Sequence, residues 1–448
     1  MKDIPLFSSK TQKSIAKQVL IGFAATILAG SIILSLPHMT VGGDITYIDA
    51  LFTSTSAICV TGLIVQDTPT YFTELGKIII LLFIQIGGLG IMTIGSIFGL
   101  MLGRKIHIRD KFYLHSSFGS KHPFSAGKFF MLIAAITFSI EFTGFLIMTV
   151  IFYFKYSYTI LGSMSASLFH TISAFNNAGF ALYSNSLEAF GYDIPLNLVF
   201  MALIFLGGIG FPVISEIITY RRIKHFSLHA KIVLYTSAFL IAAGAIMFFL
   251  MEFKNPQTIG DRPLYVQILT SFFQSVTART AGFNTTSIAS LNPSTLFLLS
   301  LLMFIGASPG STGGGIKTTT FVTVTAAGLS SIRGRNSVNL FRRRLPDSAI
   351  YRALTLTLTA IVLVIFSTIG LLVFEKCSFG AALFEAISAF GTVGLSTGIT
   401  GSLTLGGKII LILCMFIGRI GISTMSIAIA FRGSVSRISY PEDTITIG

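Results

Sequence analysis

Val276-Thr-Ala-Arg-Thr-Ala-Gly-Phe-Asn284 leads into an apolar run, and that run meets Ile305-Gly-Ala-Ser-Pro-Gly-Ser-Thr-Gly-Gly-Gly-Ile-Lys317. A short amphiphilic segment, 268–277, precedes the first glycine, and small, flexible residues interrupt the membrane-length stretch after it. Similar units end in Cys59-Val60-Thr61-Gly62-Leu63, Asn176-Asn177-Ala178-Gly179-Phe180 and Gly391-Thr392-Val393-Gly394-Leu395. The bend glycines Gly62, Gly179, Gly282 and Gly394 are 117, 103 and 112 residues apart. Each is followed 24 to 28 positions later by a second landmark: Gly87-Gly88-Leu89-Gly90, Gly207-Gly208-Ile209-Gly210, Gly306 onward, and Gly418-Arg419-Ile420-Gly421. Chance clustering of 43 glycines would not hold that register, so an internal fourfold repeat is predicted.

Composition sets the environment. Of 448 residues, 52% are hydrophobic and 11% charged, against about a quarter charged in an ordinary globular chain. Several runs approach the ~20 apolar residues that span a bilayer as a helix, which excludes a soluble domain. The first such run, 19–36, reads as a retained membrane helix rather than a cleaved leader. Three cysteines, Cys59, Cys377 and Cys414, form neither a paired framework nor a metal-ligand spacing. The net charge of +14 raises the question of a nucleic-acid partner. Most of the 31 Lys and Arg, however, fall between the units or at the chain ends, as in Lys2–Lys17, Arg104–Lys128, Arg221–Lys231, Arg333–Arg352 and Arg432–Arg437. Loops inside the units carry Asp44, Asp67, Glu74, Glu188, Asp193, Glu252 and Asp261 instead. This is the positive-inside pattern; nucleic acid is not needed to explain it, and both termini are expected to be cytoplasmic.

The expected fold is an all-α polytopic membrane protein. It has four repeats of a first membrane helix, a short pore helix and a second membrane helix, giving eight transmembrane helices around a pseudo-fourfold pore. The repeats are placed at 1–112, 113–225, 226–345 (second helix broken at 306–315) and 346–448 with the C-terminal tail. Spanning helices are predicted at 14–36, 76–102, 129–154, 196–220, 228–253, 294–329, 349–374 and 406–431. The pieces at 47–58, 163–175, 265–277 and 379–390 are too short to cross and fit re-entrant helices.

A dehydrated cation needs oxygen ligands, and backbone carbonyls supply them without fixed charge. Turning successive carbonyls inward demands backbone angles that glycine adopts cheaply, and a short helix aims its partially negative end at the same point. The candidate ligands are Cys59, Val60, Thr61 and Gly62; Asn176, Asn177, Ala178 and Gly179; Arg279, Thr280, Ala281 and Gly282; and Gly391, Thr392, Val393 and Gly394. They form no carboxylate ring of the kind that suits divalent cations. Gly306, Ala307, Ser308, Pro309, Gly310, Ser311, Thr312, Gly313, Gly314 and Gly315 could be a packing kink or a movable gate, because irregular backbone at membrane depth is tolerated only beside protein or water. A phosphate-cradling loop is rejected, since Ile316 separates Gly315 from Lys317 and an apolar helix stands where a strand is required. Arg419 lies inside an apolar helix, where a charge is costly and usually functional; capping broken-helix carbonyls is its structural alternative. Arg279 is expected to point behind its bend and brace it against Glu385 or Asp49. For Glu141 and Glu216 a snorkelling or helix-end position is expected, and His170 is expected to pack in a pore helix.

With these residues in view, the chain is similar to membrane subunits of the Ktr/Trk/HKT potassium-transporter superfamily, nearest the KtrB type found in Ktr systems. The resemblance covers nearly the full length. It is carried by Val60-Thr61-Gly62-Leu63, Ser173–Phe180, Arg279–Asn284, Ser388–Leu395 and Phe416–Gly421. A first unit that begins by residue 20 favours the Ktr type over the Trk type. Gly313-Gly314-Gly315-Ile316-Lys317 departs from this and reads more like the Trk version. The resemblance implies potassium as the substrate, with glycine at all four bend positions resembling potassium-selective members rather than sodium-selective ones, which carry serine at the first. It implies a gate at 306–315 and Arg419, and a homodimer in the cell membrane docked on a cytoplasmic, KtrA-like nucleotide-binding regulatory ring. Basic loops fit either that ring or anionic membrane lipid. No cofactor is expected in this chain, and sodium dependence stays open. A symporter coupling potassium to sodium or protons is the alternative, although such transporters usually show two related halves. An enzyme is a distant third, for want of a nucleophile–base pair or metal cluster.

Overall fold

The computed structural model describes residues 9–90, 126–335 and 337–429. The basic cluster at 104–121, the second half of the helix expected at 76–102 and the tail beyond 429 lie outside the described residues. The first repeat contains α1 (Ser9–Leu34), α2 (Tyr47–Ile58), the short α3 (Thr68–Tyr71) and α4 (Glu74–Leu89). The second contains α5 (Ala126–Tyr156), α6 (Ile160–Phe175), α7 (Ile194–Ile209) and α8 (Phe211–Ile223). The third has α9 (Leu228–Glu252), α10 (Leu264–Thr277), α11 (Pro293–Phe304) and α12 (Thr318–Ile332). A two-stranded hairpin, β1 (Asn339–Leu340) and β2 (Arg343–Arg344), joins it to the fourth, which has α13 (Asp347–Phe374), α14 (Phe379–Gly391), α15 (Leu405–Ile420) and α16 (Ile422–Ile429).

Local chemistry repeats with the elements. The short helices α2, α6 and α14 begin on Thr46, Thr159 and Ser378, whose hydroxyls accept from the amides of Asp49, Gly162 and Ala381, satisfying donors that a helix start leaves unpaired. Thr73, Asp193 and Thr404 do the same for α4, α7 and α15. The third repeat departs from the pattern: Pro263 and Asn292 precede α10 and α11 without a side-chain cap.

Among the described residues, four helical segments are long and apolar enough to cross a membrane: Ala16–Leu34, Phe130–Tyr156, Leu228–Glu252 and Asp347–Phe374. Two bent pairs raise the number to six, and many large apolar side chains on these helices, such as Phe142, Phe239 and Phe366, face outward. This is a multi-pass membrane protein. The helices expected to run unbroken over 196–220 and 406–431 do not. The chain bends by 102° between α7 and α8 and by 93° between α15 and α16. The bends fall at Gly210 and Gly421, at φ +92° and +85°, and Gly90 ends α4 in the same left-handed conformation.

The glycines just before these breaks serve close approach. A Cβ on Gly87, Gly207 or Gly418 would strike the carbonyl oxygen of Ile58, Phe175 or Phe390 respectively. Each second helix is thus pressed onto the carboxyl end of its own repeat's short helix. The first and fourth repeats are further joined by the partly buried Asp49–Lys408 ion pair, Oδ1 to Nζ 2.6 Å. Removing one partner of a fully buried pair costs about 3–5 kcal/mol, which is the upper bound here because the lysine side chain keeps 15% exposure. Lys408→Met is therefore expected to lower the unfolding temperature in detergent, and adding Asp49→Asn should recover part of the loss.

Candidate functional site

The short helices α2, α6, α10 and α14 all end at one place. Immediately after them the backbone takes positive φ at Val60 (49°), Asn177 (56°), Thr280 (78°) and Thr392 (49°), and again two residues later at Gly62, Gly179, Gly282 and Gly394. Val60, Thr280 and Thr392 are β-branched, for which this conformation is an outlier costing about 1–3 kcal/mol each. Strain repeated at one register of four segments marks a built feature rather than a loop accident.

The four bends close into a ring. Gly179 Cα lies beside Gly62, Gly282 Cα beside Gly179, Gly394 Cα beside Gly282 and Gly62 Cα beside Gly394. A Cβ on each glycine would meet the carbonyl oxygen of the residue before the next glycine: Ala178, Ala281, Val393 and Thr61 in turn. Every residue singled out in the bends is buried or closely packed, with Thr61, Ala178, Ala281 and Val393 fully so. Positive φ at alternate positions of each bend turns successive peptide planes the same way, as a carbonyl-lined ring requires.

Serines on the short helices brace the ring. The amides of Thr61, Ala178 and Val393 each donate to a serine carbonyl five residues back, at Ser56, Ser173 and Ser388, all at 2.8 Å. The Ser56 and Ser388 hydroxyls accept from the Gly62 and Gly394 amides at 3.1 Å, while Ser173 Oγ donates to the Phe180 carbonyl at 2.7 Å. Val276 holds the matching place in the third repeat and can do neither, and there Ala281 N donates to Thr277 O. Ser56→Ala leaves a buried amide without its acceptor, a loss of about 1–3 kcal/mol, so it is expected to lower the thermal midpoint in detergent; Val276→Ala should cost only its lost apolar contacts.

The segment between α11 and α12 lies directly against the ring. Gly314 N donates to Thr392 Oγ1 at 3.0 Å, and a Cβ on Gly313 would strike Thr280 Oγ1. The same segment fills the break after α7. Ser308 N and Thr312 N donate to the carbonyls of Gly208 and Gly207, and Phe211 N donates to the Gly310 carbonyl. Groups freed by breaking one helix are thereby satisfied by the loop that breaks another, as membrane depth requires. Arg419 completes the arrangement, donating to the carbonyls of Thr312 in the loop and of Gly87 and Gly88 at the end of α4. It therefore caps broken-helix carbonyls and touches the loop at once.

Lys317 is a functional residue that the sequence reading does not assign a role. Its Nζ donates to the Gly313 carbonyl at 2.6 Å and the Gly314 carbonyl at 3.3 Å. Two cations from different repeats thus hold three consecutive loop carbonyls. A lysine closing a glycine run at membrane depth was the available signal.

Two expectations are corrected. Arg279 is buried behind its bend, but Glu385 is occupied by Ser396, Thr397 and Thr400, and Asp49 by Lys408 and Gln66. Neither braces it; Arg279 instead borders a small cavity with Ile204, Phe205, Gly208, Ile241 and Val276. Glu141 neither snorkels nor sits at a helix end. It is buried within α5, accepting from Gln85 and Asn176. Glu216 lies midway along α8 rather than at its end, and its carboxylate accepts from the Ser227 amide and hydroxyl at the start of α9. His170 packs inside α6, Nδ1 to the Ala166 carbonyl and Nε2 accepting from the Leu182 amide. At the rim, Glu188 accepts from Asn284, which follows the third bend. Burial pushes this carboxyl above its ordinary range, against the pull of Arg262 and the Asn284 amide.

Apolar spans, short helices converging on a ring of backbone bends, and a broken helix pressed against that ring together define a membrane transport protein. The TrkH family profile, described as a cation transport protein, matches residues 2–437. The chain belongs to that family. It is 39% identical over 428 residues to Ktr system potassium uptake protein B of Bacillus subtilis (strain 168), covering 96% of this chain and 95% of the relative. Identity is 37% over 432 residues to the protein of the same name in Vibrio alginolyticus, covering 96% and 94%. The potassium/sodium uptake protein NtpJ of Enterococcus hirae is 35% identical over 434 residues, covering 95% and 96%. The crystal structure of the potassium transporter TrkH from Vibrio parahaemolyticus superposes with a TM-score of 0.72 at 20% identity, covering 96% of this chain and 86% of that one.

Proposed function

We propose that this chain takes up potassium through the ring of bends. The carbonyls around Thr61, Ala178, Ala281 and Val393 replace the water of a monovalent cation, and the 306–315 loop with Arg419 and Lys317 gates the path beside them. The observation that carries this reading is the closed cyclic order of the four bend glycines, each against the carbonyl of its neighbour. Oxygen from peptide groups alone favours a weakly hydrated monovalent ion, because no carboxylate is present to compensate the dehydration of a divalent one. The names of the Bacillus, Vibrio and Enterococcus relatives point to the same substrate.

The rest of the reading follows from the repeats. Eight spans arise if α4 belongs to one crossing and α7–α8, α11–α12 and α15–α16 are each one broken crossing, and the repeat limits then fall near 112, 225 and 345. Basic loops between repeats place both termini on the cytoplasmic side of the cell membrane. The chain pairs as a homodimer and docks on a nucleotide-binding ring, as its likeness to Ktr system proteins suggests. Uptake is driven by the inside-negative potential, worth ~2.3 kcal/mol per charge per 100 mV. The test is flux into liposomes containing the purified protein, with potassium, rubidium and sodium compared. Potassium and rubidium should pass well ahead of sodium. Equal passage of all three would overturn the assignment.

A further inference from the structure

Behind the second bend lies a polar cluster that the ring itself does not need. Glu141, on α5, is 6% exposed, at a depth where carboxyls are rare and marked for function. Its Oε1 accepts from Asn176 Nδ2 at 3.0 Å and its Oε2 from Gln85 Nε2 at 3.2 Å. Asn176 Nδ2 also lies 3.0 Å from Gln85 Oε1 and 2.9 Å from the Ile172 carbonyl, so its two protons are shared among these acceptors. Three side chains from α4, α5 and the end of α6 thus close a triangle of hydrogen bonds. Asn176 caps α6 and opens the second bend, three residues before Gly179. Its amide is seated where Gly88 has no side chain, since a Cβ there would strike Asn176 Oδ1. At the same register the other bends carry Cys59, Arg279 and Gly391, so the triangle is particular to the second repeat.

We propose that Gln85 and Glu141 are positioning residues for ion discrimination. They hold the Asn176 side chain and through it set the backbone of Asn177–Gly179, where a Cβ on Gly179 would lie 3.1 Å from the Gly282 Cα. A bend released on one quarter of the ring changes the distance between opposing carbonyls, and that distance separates potassium from a smaller ion. Gly88, whose missing side chain makes room for Asn176, also offers its carbonyl to Arg419, so the triangle lies on the contact chain joining the ring to the loop clamp.

The role given to Gln85 and Glu141 rests on the ring being the discriminating element, and the experiment separates the two. Potassium and sodium fluxes in liposomes are compared for the wild type, Glu141→Gln, Glu141→Leu and Gln85→Leu, with thermal unfolding and size-exclusion profiles recorded for each. A wild type without preference for potassium sinks the proposed function itself. Given a selective wild type, Glu141→Leu and Gln85→Leu should lower the potassium-to-sodium ratio roughly tenfold, the scale of losing a hydrogen bond to a buried polar group, while potassium still passes. Glu141→Gln keeps an acceptor for Asn176 but sets its amide nitrogen against Gln85 Nε2 and should lower the ratio as well. The swapped pair Glu141→Gln with Gln85→Glu, assayed in the same way, restores every donor–acceptor match and should retain the ratio. A folded leucine variant with the wild-type ratio overturns the proposal. So does a folded swapped double variant as impaired as the leucine ones, because a carboxyl at position 141 itself would then be the requirement. If Glu141→Leu fails to fold, Gln85→Leu carries the same test.

Discussion

Gly394→Ala is expected to abolish discrimination between potassium and sodium and to cut potassium flux at least roughly tenfold. Two costs act together at this position. The residue has φ +93°, where an L side chain loses about 1–2 kcal/mol. Its new methyl would also be driven into the Thr61 carbonyl oxygen of the neighbouring bend, and nothing flexible is there to yield. Relief requires the first and fourth bends to part, which spoils the carbonyl spacing on one side of the ring. Gly380→Ala is the control within the same repeat, because an added Cβ there has open space and alanine is the better helix former. Retained selectivity in a folded Gly394→Ala protein would mean that the ring does not choose the ion.

Shortening the loop by removing Pro309–Ser311 is expected to do the opposite: raise flux on the order of tenfold and leave the ion preference intact. The loop is held from several sides, by Gly207, Gly208 and Phe211 in the α7 break, by Thr392 of the ring, and by Lys317 and Arg419. Hydrogen bonds from charged donors contribute about 1.5–3 kcal/mol each, so a closed population favoured by two of them shifts strongly when the loop no longer reaches. Arg419→Gln should give a smaller increase in the same direction, since Lys317 still holds Gly313 and Gly314. Flux that falls with shortening, in protein that unfolds at the wild-type temperature, would make the loop a packing kink. The two experiments are complementary: one alters which ion passes, the other how often.

Sequence made the ring legible because its geometry is written in residue types. Only glycine tolerates both the backbone angle and the neighbour's carbonyl at Gly62, Gly179, Gly282 and Gly394, so the register survives as spelling. The second landmarks were legible for the same reason, but their consequence was not. Gly210 and Gly421 bend the chain sharply between two apolar segments, and periodicity cannot see a change of direction when both sides remain helical and apolar. Contacts between repeats were hidden more deeply. Arg419 meets Gly87 across 332 positions, and Glu141 meets Gln85 across 56. Nothing local distinguishes a buried carboxyl with amide partners from one reaching toward water. The brace expected for Arg279 does not form, because opposite charge alone is not sufficient: Glu385 and Asp49 are engaged nearer at hand.

Val276 stands where three sister segments place serine, and the residue opening each bend is different in all four. A channel assembled from identical chains must change every quarter of its coordination shell with one codon. Here a codon touches one quarter alone. Under the proposed function, selection can adjust ion preference in small steps, each survivable, and a laboratory can do likewise by editing a single side of the ring.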